Sequence, residues 1–444
     1  MTKGYYIKTF GCQMNEHDSQ KIGHLLSGLG YALAPDASAA SLILFNTCTV
    51  REKAHQKAYS EIGKAVFEKK SRPELKIAVC GCVAQEMGAR LLHRFPQIDL
   101  IFGPDQIYQL PRLLALREEK GEPVVATDLI NDPEHYHFLD SVPATRLKSS
   151  SAFVTIMKGC NSQCSYCIVP QVRGAEVCRD PQEIAREVET LASKGFREVT
   201  LLGQNVNSYQ MAGTTFAQLL RRIADATGIE RIRFMSPHPK DVKQDLVDAY
   251  ADNPKLCAHI HLPLQSGSDA VLRRMRRAYN RRQYLEKVAA LRKARPDIAM
   301  TTDIIVGFPG ETEGHFLETL SLMEEVRFDN VYAFKYSVRP DTEAAGFGDD
   351  VTLAEKEARL QRLFRLQTLI SKEKNQKLVG TRHKVLVEGT DRLNRGLMMG
   401  YTECRRIVNF AGDEGLIGAI VEVQITQAFA NSLSGEKCGG SYVG

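Results

Sequence analysis

Between residues 152 and 337, six short apolar runs alternate with stretches of helical periodicity: AFVTIM, REVTLL, ERIRFM, CAHIHLP, IAMTTDIIV and NVYAFKYS. Strands joined through helices return to a sheet by right-handed crossovers, so each lies parallel to its neighbour. The pattern predicts a curved parallel sheet or partial barrel, with functional residues gathered at the strand C-termini.

The flanks differ in style. Residues 1–118 also alternate, with strands at YYIKTF, LILFN and KIAVC and helices over 50–70 and 84–95, which predicts a parallel α/β unit. Residues 119–145 lose periodicity, gather Glu, Asp and Pro ahead of KSSS, and read as a linker. The central unit is expected over 146–378. It closes with a helix opened by a Thr352/Glu355 capping box, carrying Leu360, Leu363, Phe364 and Ile370 on one face and stopping by Gly380. From 379 to 444, HKVLVEG, RGLMMGYTE, RRIVNF and GAIVEVQITQA follow one another without helices, which predicts a small antiparallel barrel of the oligonucleotide-binding kind.

An apolar fraction of 43% and a charged fraction of 25% over 444 residues describe an ordinary globular protein. No run approaches a membrane span and the start MTKGYYIKTFGC lacks a signal-peptide core, so the cytosol is the expected compartment, without a membrane partner. Thiols there stay reduced, and the eleven cysteines are better read as ligands, nucleophiles or core residues than as disulfides. A net charge of +5 does not by itself call for nucleic acid, but RRMRRAYNRR at 273–282 holds six arginines, either a solvated helix face or an anion-binding one.

Cys160, Cys164 and Cys167 follow the first strand of the central unit. Three close-set thiolates suit an iron–sulfur cluster with one iron left open; structural zinc, which would need Cys178 or a histidine as fourth ligand, fits less well, and a chance group of core cysteines is the weakest reading. Cys12, Cys48 and Cys82 are far apart, yet each lies just after a predicted strand. Parallel strands bring their C-terminal ends to one edge, near helix N-termini that favour anions, so these three are expected to converge as a second three-thiolate site. Cys80 falls within a strand and reads as packing, while Cys178, Cys257, Cys404 and Cys438 have no evident partner.

The spacing C-x3-C-x2-C, with Tyr166 before the last cysteine, resembles the signature of the radical S-adenosylmethionine (SAM) enzymes. That resemblance implies a 4Fe-4S cluster whose unique iron binds the amino and carboxylate groups of SAM, which one electron then cleaves to methionine and a 5'-deoxyadenosyl radical. It also implies that Gly203, Gln204, Ser236, Gln265 and Ser266 surround SAM and that Ile305, Val306 and Phe308 lie near its adenine. Each alone is as well read as a strand-end turn; their shared sheet edge favours a site.

GCQMNEHDS, NTCTVREKA, CGCVAQ, CSYCIVPQVRG, LPLQSGS and TDIIVGFPGET together resemble the methylthiotransferases, and the C-terminal barrel resembles their TRAM RNA-binding domain. Gln13-Met14-Asn15 and Val50-Arg51-Glu52-Lys53 are similar to the MiaB-type tRNA branch. Gln171 and Cys178 depart from the usual aromatic and serine of relatives.

What the resemblance implies is addition of a methylthio group to carbon 2 of an N6-prenylated adenosine beside the tRNA anticodon, using two SAM molecules and two 4Fe-4S clusters, the second on Cys12, Cys48 and Cys82. The expected partners are the tRNA anticodon stem-loop, an electron donor such as flavodoxin or ferredoxin, and a sulfur source. Candidate phosphate contacts are Arg273, Arg276, Arg277, Arg395, Arg405 and Arg406, with Tyr401 or Phe410 for base stacking. Two alternatives stand beside it: methylthiolation of a ribosomal protein or of threonylcarbamoyl-adenosine tRNA, and a zinc-stabilised RNA-binding protein.

Overall fold

The computed structural model describes residues 3–49, 52–132, 134–139, 150–391, 394 and 396–439, and the side chains of all of these but 52–54. The Val50–Lys53 motif, Arg395 and the end of the expected linker, 140–145, therefore lie wholly or in their side chains outside the described residues. The chain forms two compact units, Met1–Pro143 with Met157–Ser162 and Ile168–Arg179, and Ala144–Ile156 with Gln163–Cys167 and Asp180–Gly444.

The first unit is a six-stranded parallel sheet, β1 (Lys3–Thr9), β2 (Tyr31–Leu33), β3 (Leu42–Thr47), β4 (Lys76–Gly81), β5 (Leu100–Phe102) and β6 (Val124–Ala126), in the order β2-β1-β3-β4-β5-β6. Helices α1 (Gln13–Gly28), α2 (Glu52–Lys69), α3 (Cys82–Met87), α4 (Arg90–Arg94) and α5 (Leu110–Lys120) connect the strands. LILFN reads as a continuous apolar run because β3 is buried on both faces: Leu42 and Leu44 join a core with Ile22, Leu26 and Leu110, while Ile43 and Phe45 join another with Ile62, Ile77 and Phe95. β6 arises within the segment read as linker; it spans three residues, too few for periodicity to show.

The same unit takes in α6 (Val169–Arg173) and a two-residue ladder between Met157–Lys158 and Val177–Cys178. Lys158 is buried and its Nζ lies 2.7 Å from Asp105 Oδ2 and 2.6 Å from the Ile130 carbonyl. This ion pair ties the ladder to the sheet.

The second unit holds the six expected strands: β7 (Ser151–Thr155), β8 (Glu198–Leu202), β9 (Arg231–Phe234), β10 (His259–His261), β11 (Ala299–Val306) and β12 (Asn330–Lys335). β7-β8-β9 and β10-β11-β12 are parallel triplets. They join through Ile232, whose N–H donates to the Lys255 carbonyl at 2.8 Å and whose carbonyl accepts from Cys257 N–H at 3.0 Å. The intervening helices are α7 (Pro181–Ser193), α8 (Phe216–Ala226), α9 (Gln244–Asp252), α10 (Asp269–Arg274), α11 (Arg281–Ala294) and α12 (Glu313–Val326).

α13 (Leu353–Gln376) begins at the expected capping box, with Thr352 Oγ1 accepting from Glu355 N–H and Glu355 Oε2 accepting from Thr352 N–H. Thr352→Ala is expected to cost about 1 kcal/mol, read as a lower denaturant midpoint. The buried face differs from expectation: Leu363 and Ile370 are buried, but Phe364 is exposed and Lys356, Arg359 and Gln367 take buried positions. The polar groups are admitted because each has a partner: Lys356 pairs with Asp349, Arg359 with Glu311, and Gln367 donates to the Phe328 carbonyl.

The C-terminal strands β13 (Arg382–Thr390), β14 (Leu397–Thr402), β15 (Ile407–Ala411), β16 (Ile420–Ala428) and β17 (Leu433–Lys437) close a barrel around Val385, Val408, Phe410, Val423 and Ile425. β15 and β17 pair in parallel, unlike the wholly antiparallel expectation. A ring of five strands cannot alternate direction at every step, so one neighbouring pair must run parallel. Side chains of β9 hold the barrel: Arg231 donates to the Tyr401 and Lys384 carbonyls at 3.2 and 2.8 Å, and Arg233 to those of Thr402 and Glu403 at 2.8 Å each. Buried Glu198, 2.9 Å from Arg233 Nε, balances that charge.

Candidate metal centres

β1, β3 and β4 are neighbours in the first sheet, and Cys12, Cys48 and Cys82 follow their C-terminal ends. Cys12 precedes α1 and Cys82 opens α3, so both lie at helix N-termini. The approach is close: a Cβ on Gly11, whose φ is +114°, would lie 2.3 Å from Cys48 Cβ. Only glycine allows this backbone path. Asn15 braces the loop, its Nδ2 donating at 2.9 Å to both Asn46 Oδ1 and the Thr47 carbonyl, while Cys12 Sγ donates to its Oδ1 at 3.4 Å.

A buried cation completes the group. Arg173, on α6, pairs with buried Asp18 at 2.9 Å and hydrogen-bonds Cys82, while Ile168 and Val172 pack against Cys82. A hydrogen bond from Cys48, the Arg173 charge and the N–H groups of Asn15 and Met14 outweigh burial and lower the Cys12 thiol to about 6. Burial pushes Cys82 up despite Arg173. In metal-free protein, iodoacetamide is therefore expected to label Cys12 with a midpoint near pH 6, since the thiolate forms above that pH, while Cys82 stays unreactive at neutral pH; peptide mass spectrometry across pH reads the order.

Cys160 lies in the first unit and Cys164 and Cys167 in the second. Cys160 N–H donates to the Gly174 carbonyl at 3.1 Å, and its Sγ accepts from Ser162 N–H at 3.4 Å. In the second unit Cys167 N–H donates to the Cys164 carbonyl at 3.0 Å, and Ser165 is fastened by its N–H and Oγ to the carbonyls of Met275 and Arg274. Among the described residues no three His, Cys, Asp or Glu side chains close on a single-ion position.

The expected SAM contacts follow β8, β9, β10 and β11 and share one sheet edge. Gly203 is buried and Gln204 half-buried. Ser236 and Gln265 have φ of +60° and +70°, a conformation that costs a non-glycine residue energy and clusters at functional sites. Gln265 is locked in it by bonds from its N–H to Asp303 and from Ile305 N–H to its carbonyl, 2.8 and 2.9 Å. Ser266 is fully buried and turned toward Thr319, 3.4 Å away. Val306 and Phe308 are also fully buried, Phe308 among Tyr166, Tyr336 and Phe347. Of the three residues expected at an adenine, Ile305 alone presents side-chain surface.

The arginines expected at RNA divide sharply. Arg273 is exposed, and Arg276 is exposed beside Glu343 at 2.9 Å. Arg405 stacks 4.1 Å over the Tyr401 ring and remains 40% exposed, although its Nη1 also lies 3.8 Å from Glu198 and 3.9 Å from Glu388. Arg406 is instead committed to Asp329 and Asn375, and Arg277 is buried beside Cys164. Phe410 is interior to the barrel and cannot stack on a base. A cleft of about 770 Å³ lined by Arg292, Lys374, Lys377, Arg382 and Lys384 went unseen in the sequence, because its lysines and arginines come from separate elements. Arg173 and Asp18 were missed too, although Arg173 stands within CSYCIVPQVRG.

Residues 4–103 match the model of the uncharacterized protein family UPF0004, 154–323 that of the radical SAM superfamily and 376–438 the TRAM domain. A tRNA-2-methylthio-N(6)-dimethylallyladenosine synthase of Geobacter metallireducens is 50% identical over 435 residues, 97% of each chain. Its counterpart in Geotalea uraniireducens is 49% identical over 437 residues, 98% of each. Among solved structures, the radical SAM methyltransferase TsrM from Kitasatospora setae aligns with a TM-score of 0.55 at 14% identity over 90% of this chain and 81% of that one, a likeness of fold. No described helix is long and apolar enough to cross a membrane.

Proposed function

The chain belongs to the tRNA-2-methylthio-N(6)-dimethylallyladenosine synthases, radical SAM methylthiotransferases of tRNA, and on that premise we propose that Cys160, Cys164 and Cys167 hold one 4Fe-4S cluster and Cys12, Cys48 and Cys82 a second. The observation that carries the reading is the gathering of Cys12, Cys48 and Cys82 at the ends of three adjacent parallel strands, Cys48 against Cys12 and the Arg173 cation beside Cys12 and Cys82. Soft thiolates with a fixed positive charge beside them suit an anionic iron–sulfur group.

Bound there, the clusters and SAM supply one-electron chemistry at an adenine C–H bond that acid–base side chains do not activate. The chain's own residues position the reactants. Gly203, Gln204, Ser236 and Gln265 offer backbone and side-chain polar groups along the edge expected for SAM, and Ile305 offers apolar surface for its adenine. Arg273, Arg276 and Arg405 meet RNA phosphates, Arg405 from its stack on Tyr401. The reaction places the methylthio group on carbon 2 of an N6-prenylated adenosine in the anticodon loop, consuming two SAM molecules. A low-potential donor of the flavodoxin or ferredoxin kind supplies electrons, and a separate sulfur source supplies the inserted atom.

The test is anaerobic incubation of reconstituted protein with SAM and reductant on prenylated tRNA, unprenylated tRNA and a ribosomal-protein loop peptide, read by mass spectrometry. Methylthio product on the prenylated adenosine alone is the expected result. Product on the peptide overturns the tRNA reading, and zinc in place of iron and sulfide overturns the cluster reading.

A further inference from the structure

Arg277 lies in the arginine-rich stretch read as an RNA contact, yet its side chain is buried and four of its N–H donors are engaged. Nη1 donates to Cys164 Sγ at 3.2 Å and to Tyr166 Oη at 3.4 Å, Nη2 to the Pro263 carbonyl at 3.2 Å, and Nε to Tyr279 Oη at 3.0 Å. Tyr279 is itself anchored, its hydroxyl placed 3.0 and 2.8 Å from the Pro263 and Leu264 carbonyls. The guanidinium therefore cannot swing to a phosphate without abandoning a buried cage.

We propose that Arg277 is a positioning residue that holds a hydrogen bond and a fixed positive charge on the Cys164 sulfur, easing one-electron reduction of the cluster held there. The inference rests on the reading of Cys160, Cys164 and Cys167 as cluster ligands. Reduction takes one electron from a low-potential donor and adds one negative charge to the bound group. No proton moves, because the guanidinium stays charged throughout. A cation at hydrogen-bond distance in a buried setting stabilises the more negative state more than the less negative one, and hydrogen bonds to cluster sulfurs raise the potential in the same sense.

The test compares Arg277→Met, Arg277→Lys and Tyr279→Phe in full-length protein carrying Cys12→Ala, Cys48→Ala and Cys82→Ala, so that a single cluster reports. Each is reconstituted, assayed for iron and sulfide, and titrated potentiometrically with electron paramagnetic resonance of the reduced cluster as the signal. The expected result for Arg277→Met is a fall of about tenfold in the reduced-to-oxidised ratio at fixed potential, near 59 mV for one electron. Arg277→Lys, which keeps the charge and loses the fork, is expected to move less, and Tyr279→Phe, which frees Nε, to move in the same direction.

Unchanged potentials in the variants that load a cluster overturn the proposal, whatever happens to iron content, because a purely structural role alters loading and not potential. If Arg277→Met fails to fold or load, Tyr279→Phe and Arg277→Lys decide on the same readout. A parent protein with its Cys160, Cys164 and Cys167 intact but no cluster signal overturns the ligand reading itself.

Discussion

Alanine at any one of Cys12, Cys48, Cys82, Cys160, Cys164 or Cys167 is expected to abolish methylthiolated tRNA. If each trio holds a cluster as proposed, loss of one thiolate leaves too few soft ligands to hold it. The two trios are expected to fail differently. Variants of Cys160, Cys164 and Cys167 should lose reductive cleavage of SAM altogether, whereas variants of Cys12, Cys48 and Cys82 should retain cleavage and yield no methylthio product. Iron and sulfide analysis, assay of 5'-deoxyadenosine and nucleoside mass spectrometry check this together. Cys178→Ser is expected to keep product, since the proposed assignment gives Cys178, whose backbone pairs with Met157 in the short ladder, to neither cluster. A fully active variant at any of the six positions defeats the scheme.

Lys158→Met is expected to destabilise the first unit by about 3–5 kcal/mol, the usual consequence of stranding one charge of a buried pair. The side chains of Lys158 and Asp105 are 2% and 1% exposed, so water cannot replace the lost partner. Burial works against the lysine charge and holds it below the usual lysine range, with the Asp105 carboxylate opposing that shift. Lys158→Met combined with Asp105→Asn should recover most of the loss, because neither residual group then carries a buried charge, although the Ile130 N–H bond to Asp105 is weakened. Urea unfolding of the single and double variants measures the difference. Equal losses in both would show that the ladder, and not the charge, is what matters.

Much of the fold was legible because apolar periodicity reports burial directly. All six central strands and the capping box at Thr352 lie where the pattern puts them. The misses have separate causes. Tyr31–Leu33, Leu100–Phe102 and Val124–Ala126 are three-residue strands in which a period of two scarcely registers, whereas the equally short His259–His261 shows through the longer run CAHIHLP around it, and Leu433–Lys437 carries mainly small and polar residues. Phe364 was placed inward because it is apolar, but the face beneath α13 offers Asp349, Glu311 and the Phe328 carbonyl, which partner polar side chains.

By itself the sequence determined what covalent connection and residue type control: three cysteines within eight positions, strands alternating with helices and so parallel, and thiols set at strand ends. Those features need no knowledge of distant neighbours. Tertiary structure alone decided which charges are spent internally. Arg277 and Cys164 are 113 positions apart, and only folding places a guanidinium 3.2 Å from that sulfur, while exposed Arg273 four positions earlier remains available to solvent. Arginine reads the same in sequence whether buried or free, because its role is set by the carboxylates, sulfurs and carbonyls that packing brings against it.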